Sequence, residues 1–127
     1  DRWQHAELMA LEMGKPVLQG EAESDKCAWI CDYYAAEGRH FLAPVTIPTN
    51  HLKSYVSFEP MGTVLAIMPW NFPFWQPLKV ALLPLFAGNT VILKHAKNVT
   101  GSALLVEDCF KKSGFEENIF KTAGFPL

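Results

Sequence analysis

Two short apolar runs constrain what this chain can fold into. Gly62-Thr63-Val64-Leu65-Ala66-Ile67-Met68 is almost unbroken, and Thr90-Val91-Ile92-Leu93 follows it after residues 74–87, a stretch of helix length closed by Gly88. Apolar runs without polar alternation suit strands covered on both faces, as in a parallel sheet. Parallel neighbours need a crossover, which is right-handed in nearly all folds, so a strand, helix, strand unit is expected. Pro77 falls near the first turn of that helix and is tolerated there, whereas Pro84 lies inside it and predicts a kink. A further helix is expected over 99–113, with Asn98 as its cap, Lys111 and Lys112 in its last turn and Gly114 as its stop; residues 118–121 then open a third strand.

The first half of the chain reads differently. Residues 7–13 suit a helix ended by Gly14 and Pro16. A longer helix over 21–37 presents Cys27, Ile30, Cys31, Tyr34 and Ala35 at helical spacing and is closed by Gly38. Between Phe41 and Pro60 the prolines 44, 48 and 60 interrupt β-branched and aromatic residues, so Val45, Ile47, Tyr55, Val56 and Phe58 suggest short strands at a sheet edge. The expected fold class is α/β: a partial Rossmann-like parallel sheet of βαβαβ order, preceded by two helices and short edge strands.

Composition narrows the possible functions. In 127 residues there is room for one ordinary domain, and 50% hydrophobic against 19% charged residues supports a packed core. A net charge of -2 without a basic stripe speaks against nucleic acid as a partner. The apolar stretch 80–87 is too short to cross a bilayer and the first residues show no signal pattern, so no membrane partner and a cytoplasmic location are expected. Cys27, Cys31 and Cys109 are odd in number and widely spaced. They read as reduced, small apolar side chains, with weak metal binding by Cys27 and Cys31 as the alternative; no metal site is expected.

Two residues carry candidate chemistry. Asn71, bracketed by Pro69 and Pro73, is either a residue bracing a proline-rich turn or a fixed amide donor aimed at a developing oxyanion. Lys94, at the carboxyl end of the second strand, is either a solvated strand-end lysine or a three-donor group at the edge where open α/β sheets bind ligands.

Met68-Pro69-Trp70-Asn71-Phe72-Pro73, followed by Ala87-Gly88-Asn89-Thr90-Val91-Ile92-Leu93-Lys94, resembles the cofactor half of the aldehyde dehydrogenase superfamily. The resemblance implies that Asn71 is catalytic, its amide holding the oxygen of a thiohemiacetal. It also implies a cofactor site at Ile67, Met68, Pro69, Trp70 and Asn71 with Lys94, His95, Ala96 and Lys97, Lys94 reaching the adenosine ribose. His95 has no visible partner and reads as a packing or surface residue. His95-Ala96-Lys97 stands where many relatives have Pro-Ala-Glu, and exchanging the acid for Lys97 would attract a 2'-phosphate, so the expected cofactor is NADP or NAD, at a site that tolerates or prefers NADP.

Glu12-Met13-Gly14-Lys15-Pro16 and Tyr33-Tyr34-Ala35 resemble further segments of the superfamily. Lys94-His95-Ala96, Asn98-Val99-Thr100-Gly101 and Trp75-Gln76 are similar to its succinate-semialdehyde dehydrogenase branch. In that branch a basic residue at the place of Lys79 can meet the distal carboxylate of the substrate; the plain alternative is an exposed helix lysine. On this resemblance, residues 1–40 are a helical lead-in of the cofactor domain, 41–60 a strand segment of bridging or oligomerisation type, and 61–127 the first βαβ units of a single incomplete domain. The Cys nucleophile, the general-base Glu, the pyrophosphate loop and a C-terminal oligomerisation strand are not among these 127 residues. The expectation is a fragment of an NAD(P)-dependent enzyme, a homo-oligomer when whole, that oxidises a small aldehyde to a carboxylate, the short piece alone being inactive. The alternative is a noncatalytic nucleotide-binding or subunit-interaction module.

Overall fold

The structure is a computed structural model that describes residues 1–124; the last three positions of the expected 61–127 unit lie outside the described residues. Helix α1 spans Arg2–Met13 and starts at Asp1, whose carboxylate accepts from the Trp3 amide. It stops at Gly14, where a φ of 73° puts the chain in the left-handed region that glycine enters without steric penalty. Helix α2 spans Val17–Phe41. It runs straight through the expected stop at Gly38, because that residue is buried against the Phe86 ring: a Cβ there would lie 2.7 Å from a ring carbon. The buried face of α2 is Gly20, Glu23, Ser24, Cys27, Ile30 and Gly38, whereas Cys31 and Ala35 of the expected stripe are exposed.

Strands β1, Val45–Thr46, and β2, Tyr55–Val56, pair antiparallel with each other and form a separate two-stranded sheet. Both are short strands at a sheet edge, as the prolines suggest, and they pair with each other rather than with the parallel sheet. That sheet consists of β3, Thr63–Ile67, β4, Thr90–Lys94, and β5, Phe120–Thr122, in the order β3-β4-β5 with both pairings parallel. Helix α3, Trp75–Phe86, crosses from β3 to β4 and contains Pro84, and helix α4, Thr100–Lys112, crosses from β4 to β5. The chain is thus α/β with βαβαβ order, as the apolar runs imply.

One expectation about the sheet fails. Val64 and Ala66 of β3 and Val91 and Leu93 of β4 pack with Phe120 into the core, but the alternate residues Leu65, Ile67 and Ile92 are 61%, 64% and 39% exposed. The described residues therefore cover one face of the sheet and leave the other open. Apolar side chains on both faces are what a doubly covered strand needs, so the sequence carries a requirement that these residues do not meet.

The start of α4 also departs from expectation. Lys97–Val99 forms a 3-10 turn and Asn98 caps nothing. The orphan amides of Gly101 and Ser102 donate instead to the Glu12 carboxylate at 2.6 and 3.0 Å, and the Ser102 hydroxyl donates at 2.6 Å. Gly101 is needed for this approach, since a Cβ would meet Glu12 Oε1 at 2.9 Å. The C-terminal half of α4 holds β5 through Glu107, which accepts from the Thr122 amide at 2.8 Å, from Lys111 Nζ at 2.8 Å and from Lys121 Nζ at 3.4 Å.

Burial of Glu107 opposes its ionisation, but these donors outweigh it and hold the carboxyl at about 2 against an ordinary 4.5. A depressed carboxylate contributes stability that is complete above the unfolded value and lost as pH falls toward the folded one. Chemical denaturation at a series of pH values should therefore show wild type losing stability between pH 4.5 and about 2, more steeply than Glu107→Gln. Parallel pH profiles for the two proteins would contradict this.

Candidate functional site

The carboxyl edge of the parallel sheet brings the separately recognised segments together. Ile67, the last residue of β3, pairs with Lys94, the last of β4. The Met68 amide donates to the Lys94 carbonyl at 3.0 Å, so the ladder continues one residue past the strand before Pro69 turns the chain away. His95, fully buried directly after β4, closes the loop from its other end: Nε2 donates to the Pro73 carbonyl at 3.0 Å while Nδ1 accepts from the Ala96 amide at 2.9 Å. Accepting at Nδ1 requires the proton to sit on Nε2. His95 is thus a structural tie with two partners, which corrects the expectation that it has none.

The loop between Met68 and α3 has a second anchor that the sequence reading gave no role. Lys15, in the turn after α1, and Glu23, on the buried face of α2, form an ion pair in which the two residues are 7% and 4% exposed. Lys15 Nζ also donates to the Asn71 carbonyl at 2.9 Å and lies 4.1 Å from the Phe72 ring centroid. Glu23 Oε1 accepts from the amides of Phe74 and Trp75, both at 2.9 Å, at the start of α3. A carboxylate placed there meets two of the unpaired amides of the helix and the positive end of its dipole. One sequence signal could have found Glu23: it falls on the helical stripe of Gly20, Cys27 and Ile30, where an unpaired charge would not be tolerated. Glu12 and Lys15 of the Glu12-Met13-Gly14-Lys15-Pro16 segment thus brace the α4 start and the Asn71 loop respectively.

The Asn71 side chain is exposed, and its Oδ1 accepts from Gln76 Nε2 at 3.1 Å. That contact occupies one lone pair of the carboxamide oxygen and fixes which end faces Gln76, and among the described residues Nδ2 has no protein acceptor. An amide held this way can present its two N–H donors outward to a ligand oxygen. Trp70 is half exposed, Ile67 is exposed on the open sheet face, and Pro69 is exposed; Met68 and Ala96 are half-buried. Lys94 and Lys97 are exposed, and neither has an ion-pair partner among the described residues. Two unpaired ammonium groups three residues apart at a sheet edge have the chemistry to meet ribose hydroxyls or a phosphate. Lys79 is exposed on α3, and no hydrogen bond or ion pair among the described residues joins it to Asn71 or Lys94.

The cysteines take no part in this edge. Cys27, Cys31 and Cys109 line a cavity of about 630 Å³ between α2, α3 and α4, with Leu78, Leu82 and Phe86. Burial pushes the Cys27 thiol up to about 12, and partial enclosure by the cavity walls, with the nearby Asp32 and Asp108 carboxylates, raises the more open Cys31 and Cys109, which keeps all three protonated and poor as nucleophiles at neutral pH. Among the described residues no His, Cys, Asp and Glu cluster is arranged to hold a metal ion, and no helix is long and apolar enough to cross a membrane.

A parallel α/β sheet whose carboxyl edge carries a braced Pro-Trp-Asn-Phe-Pro loop beside a strand-end lysine belongs to the class of open α/β architectures that bind ligands at that edge. Residues 1–123 match the Aldehyde dehydrogenase family, and the chain belongs to it. It is 45% identical over 122 residues to a probable succinate-semialdehyde dehydrogenase (NADP(+)) of Synechocystis sp., covering 96% of this chain and 26% of that protein. It is 41% identical over 115 residues to a succinate semialdehyde dehydrogenase (NAD(P)+) of Escherichia coli, covering 91% of this chain and 25% of that protein. The fold superimposes on succinic semialdehyde dehydrogenase from Streptococcus pyogenes, solved in complex with NADP+, with a TM-score of 0.95 and 33% identity over 100% of this chain and 28% of that one. The chain spans about a quarter of the length of the curated relatives it matches.

Burial pushes the His95 imidazole below its ordinary 6.5, against the opposing pull of its bond to Pro73. A depressed histidine contributes stability that is whole above pH 6.5 and lost as pH falls through the folded value. His5 is lowered by burial as well, so comparison with His95→Asn isolates the loop tie. Urea midpoints should fall on acidification from pH 7 to 5.5 by more in wild type than in His95→Asn. Equal losses would contradict the assignment of a neutral, doubly bonded His95.

Proposed function

We propose that this chain is the part of an NADP-dependent aldehyde dehydrogenase that binds the aldehyde oxygen and the adenosine ribose, and that the whole enzyme oxidises succinate semialdehyde to the carboxylate. The observation that supports this best is the Asn71 carboxamide, its oxygen bonded to Gln76 and its donor end unpaired among the described residues, in a loop fixed at the carboxyl edge of the sheet. Its N–H donors serve an oxygen that gains negative charge during attack on the aldehyde, where a preorganised donor stabilises the transition state more than the ground state.

Lys94 donates to the ribose hydroxyls, and Lys97, standing where an acid would repel phosphate, favours the 2'-phosphate of NADP over NAD. Ile67, Met68, Pro69, Trp70 and Ala96 form the floor and rim of that site, with the buried His95 tied behind them to the Pro73 carbonyl. Bound there, the nicotinamide cofactor supplies the hydride acceptor. Lys79 meets the distal carboxylate of the semialdehyde. The thiol nucleophile and the general base come from polypeptide outside this chain, which alone does not turn over substrate.

Residues 1–40 serve as the lead-in to the cofactor domain and 61–127 as its first βαβ units. The β1–β2 hairpin, with Val45, Tyr55 and Val56 about half exposed, takes the bridging role in a cytoplasmic homo-oligomer. A second reading, a noncatalytic interaction module, draws on the open face of Leu65, Ile67 and Ile92, since bare apolar sheet surface favours association. Intact mass and downstream sequence separate the two readings.

In the full-length polypeptide that carries this chain, Asn71→Ala should lower kcat by roughly 10²- to 10³-fold, the cost of one oxyanion donor, with NADP affinity unchanged. Lys97→Glu should weaken NADP relative to NAD by about tenfold or more, equivalent to ~1.4 kcal/mol. Steady-state kinetics and cofactor titration read both outcomes. An Asn71→Ala enzyme with undiminished kcat would contradict the proposed chemistry.

A further inference from the structure

We infer that Lys15 and Glu23 are positioning residues for the Asn71 carboxamide, a role that rests on the oxyanion reading of Asn71 and assigns part of the site's precision to the junction of the first two helices. Lys15 holds the Asn71 carbonyl and the Phe72 ring, and Glu23 holds the Phe74 and Trp75 amides. The remaining residue of the segment, Pro73, is held through its carbonyl by His95. Each residue from 71 to 75 is therefore fixed by a group outside the loop, and four of the five by this one ion pair.

The two charges suit the task better than neutral groups would. An ammonium has three donors to share between Glu23, the Asn71 carbonyl and the face of Phe72, while a carboxylate can accept two amides and the ammonium together. Charge-assisted bonds are also shorter and stronger than neutral ones. The partners are distant in sequence, Lys15 to Asn71 spanning 56 residues and Glu23 to Phe74 spanning 51, so the loop cannot shift without moving the α1–α2 junction. An amide aimed at a developing charge is effective only when it need not reorganise, and a misplacement of about 1 Å can cost roughly 10²-fold in rate.

Removing one charge alone strands the other in the core and risks misfolding, so the informative change is Lys15→Met with Glu23→Gln. It deletes both charges and the donor to Asn71 while leaving a Gln oxygen able to accept from Phe74 and Trp75. In the full-length polypeptide the expected result is a folded protein that binds NADP, with kcat down at least about tenfold, aldehyde KM unchanged, and faster hydrogen exchange confined to residues 71–76. Adding Asn71→Ala to this variant should lower kcat no further than Asn71→Ala does alone, because residues acting as a unit are non-additive. Losses that multiply, or wild-type kcat and exchange in the double variant, overturn the positioning role.

Should Asn71→Ala by itself leave kcat intact, the oxyanion reading falls and the positioning role falls with it, an outcome distinct from multiplied losses. If the double variant does not fold, Lys15→Arg keeps the pair's charge but alters its reach. The same confined exchange and kcat loss then support the inference, and an unchanged kcat overturns it.

Discussion

A buried ion pair between the turn after α1 and the second turn of α2 fixes the loop on which the candidate site depends. Lys15 and Glu23 are almost wholly enclosed, and each supplies bonds beyond the one they share. Stranding either charge in such a place typically costs about 3–5 kcal/mol, a large part of the stability of an ordinary domain. Their stability value as a pair is a separate matter, since well-packed apolar replacements can do as well. What apolar residues would not supply is direction: a donor to one carbonyl and an acceptor for two amides.

The same logic recurs around the sheet edge. Glu12, three residues before Lys15, closes the start of α4, and Asn89 braces the entry to β3 by accepting from the Met61 and Gly62 amides at 2.6 and 3.0 Å. His95 reaches back to Pro73. Buried polar groups in this chain are spent on the ends of elements and on the loop between β3 and α3, where backbone groups would otherwise lack partners. The result is an edge whose interior is saturated with hydrogen bonds and whose outward groups, Asn71 Nδ2 and the Lys94 and Lys97 ammoniums, are available to a ligand.

The central β3, α3, β4 unit was readable in the sequence because its signals are local: apolar runs of strand length, a helix-length spacer and Gly88 as punctuation. The extension of α2 beyond Gly38 was not, since that glycine answers to the distant Phe86 ring and not to a helix end. Asn98 looked like a cap, yet the groups that need one are served by Glu12, 89 and 90 residues away. Of the candidate site, Asn71 and Lys94 are named by motif resemblance alone, and the register of β3 against β4 brings their two segments to one edge. Lys15 and Glu23 escaped as site residues because a lysine in a turn and a glutamate in an acidic stretch ordinarily face water. The open face of Leu65, Ile67 and Ile92 records a similar gap, apolar periodicity specifying a cover that the described residues do not provide.

The most direct test of this account is a crystal structure of the full-length polypeptide with NADP and an aldehyde bound. The account predicts Asn71 Nδ2 at hydrogen-bonding distance, about 2.9 Å, from the aldehyde oxygen, with Lys15 still bonded to the Asn71 carbonyl. An Asn71 side chain turned away from the reacting carbon, with that oxygen held by other donors, would contradict it.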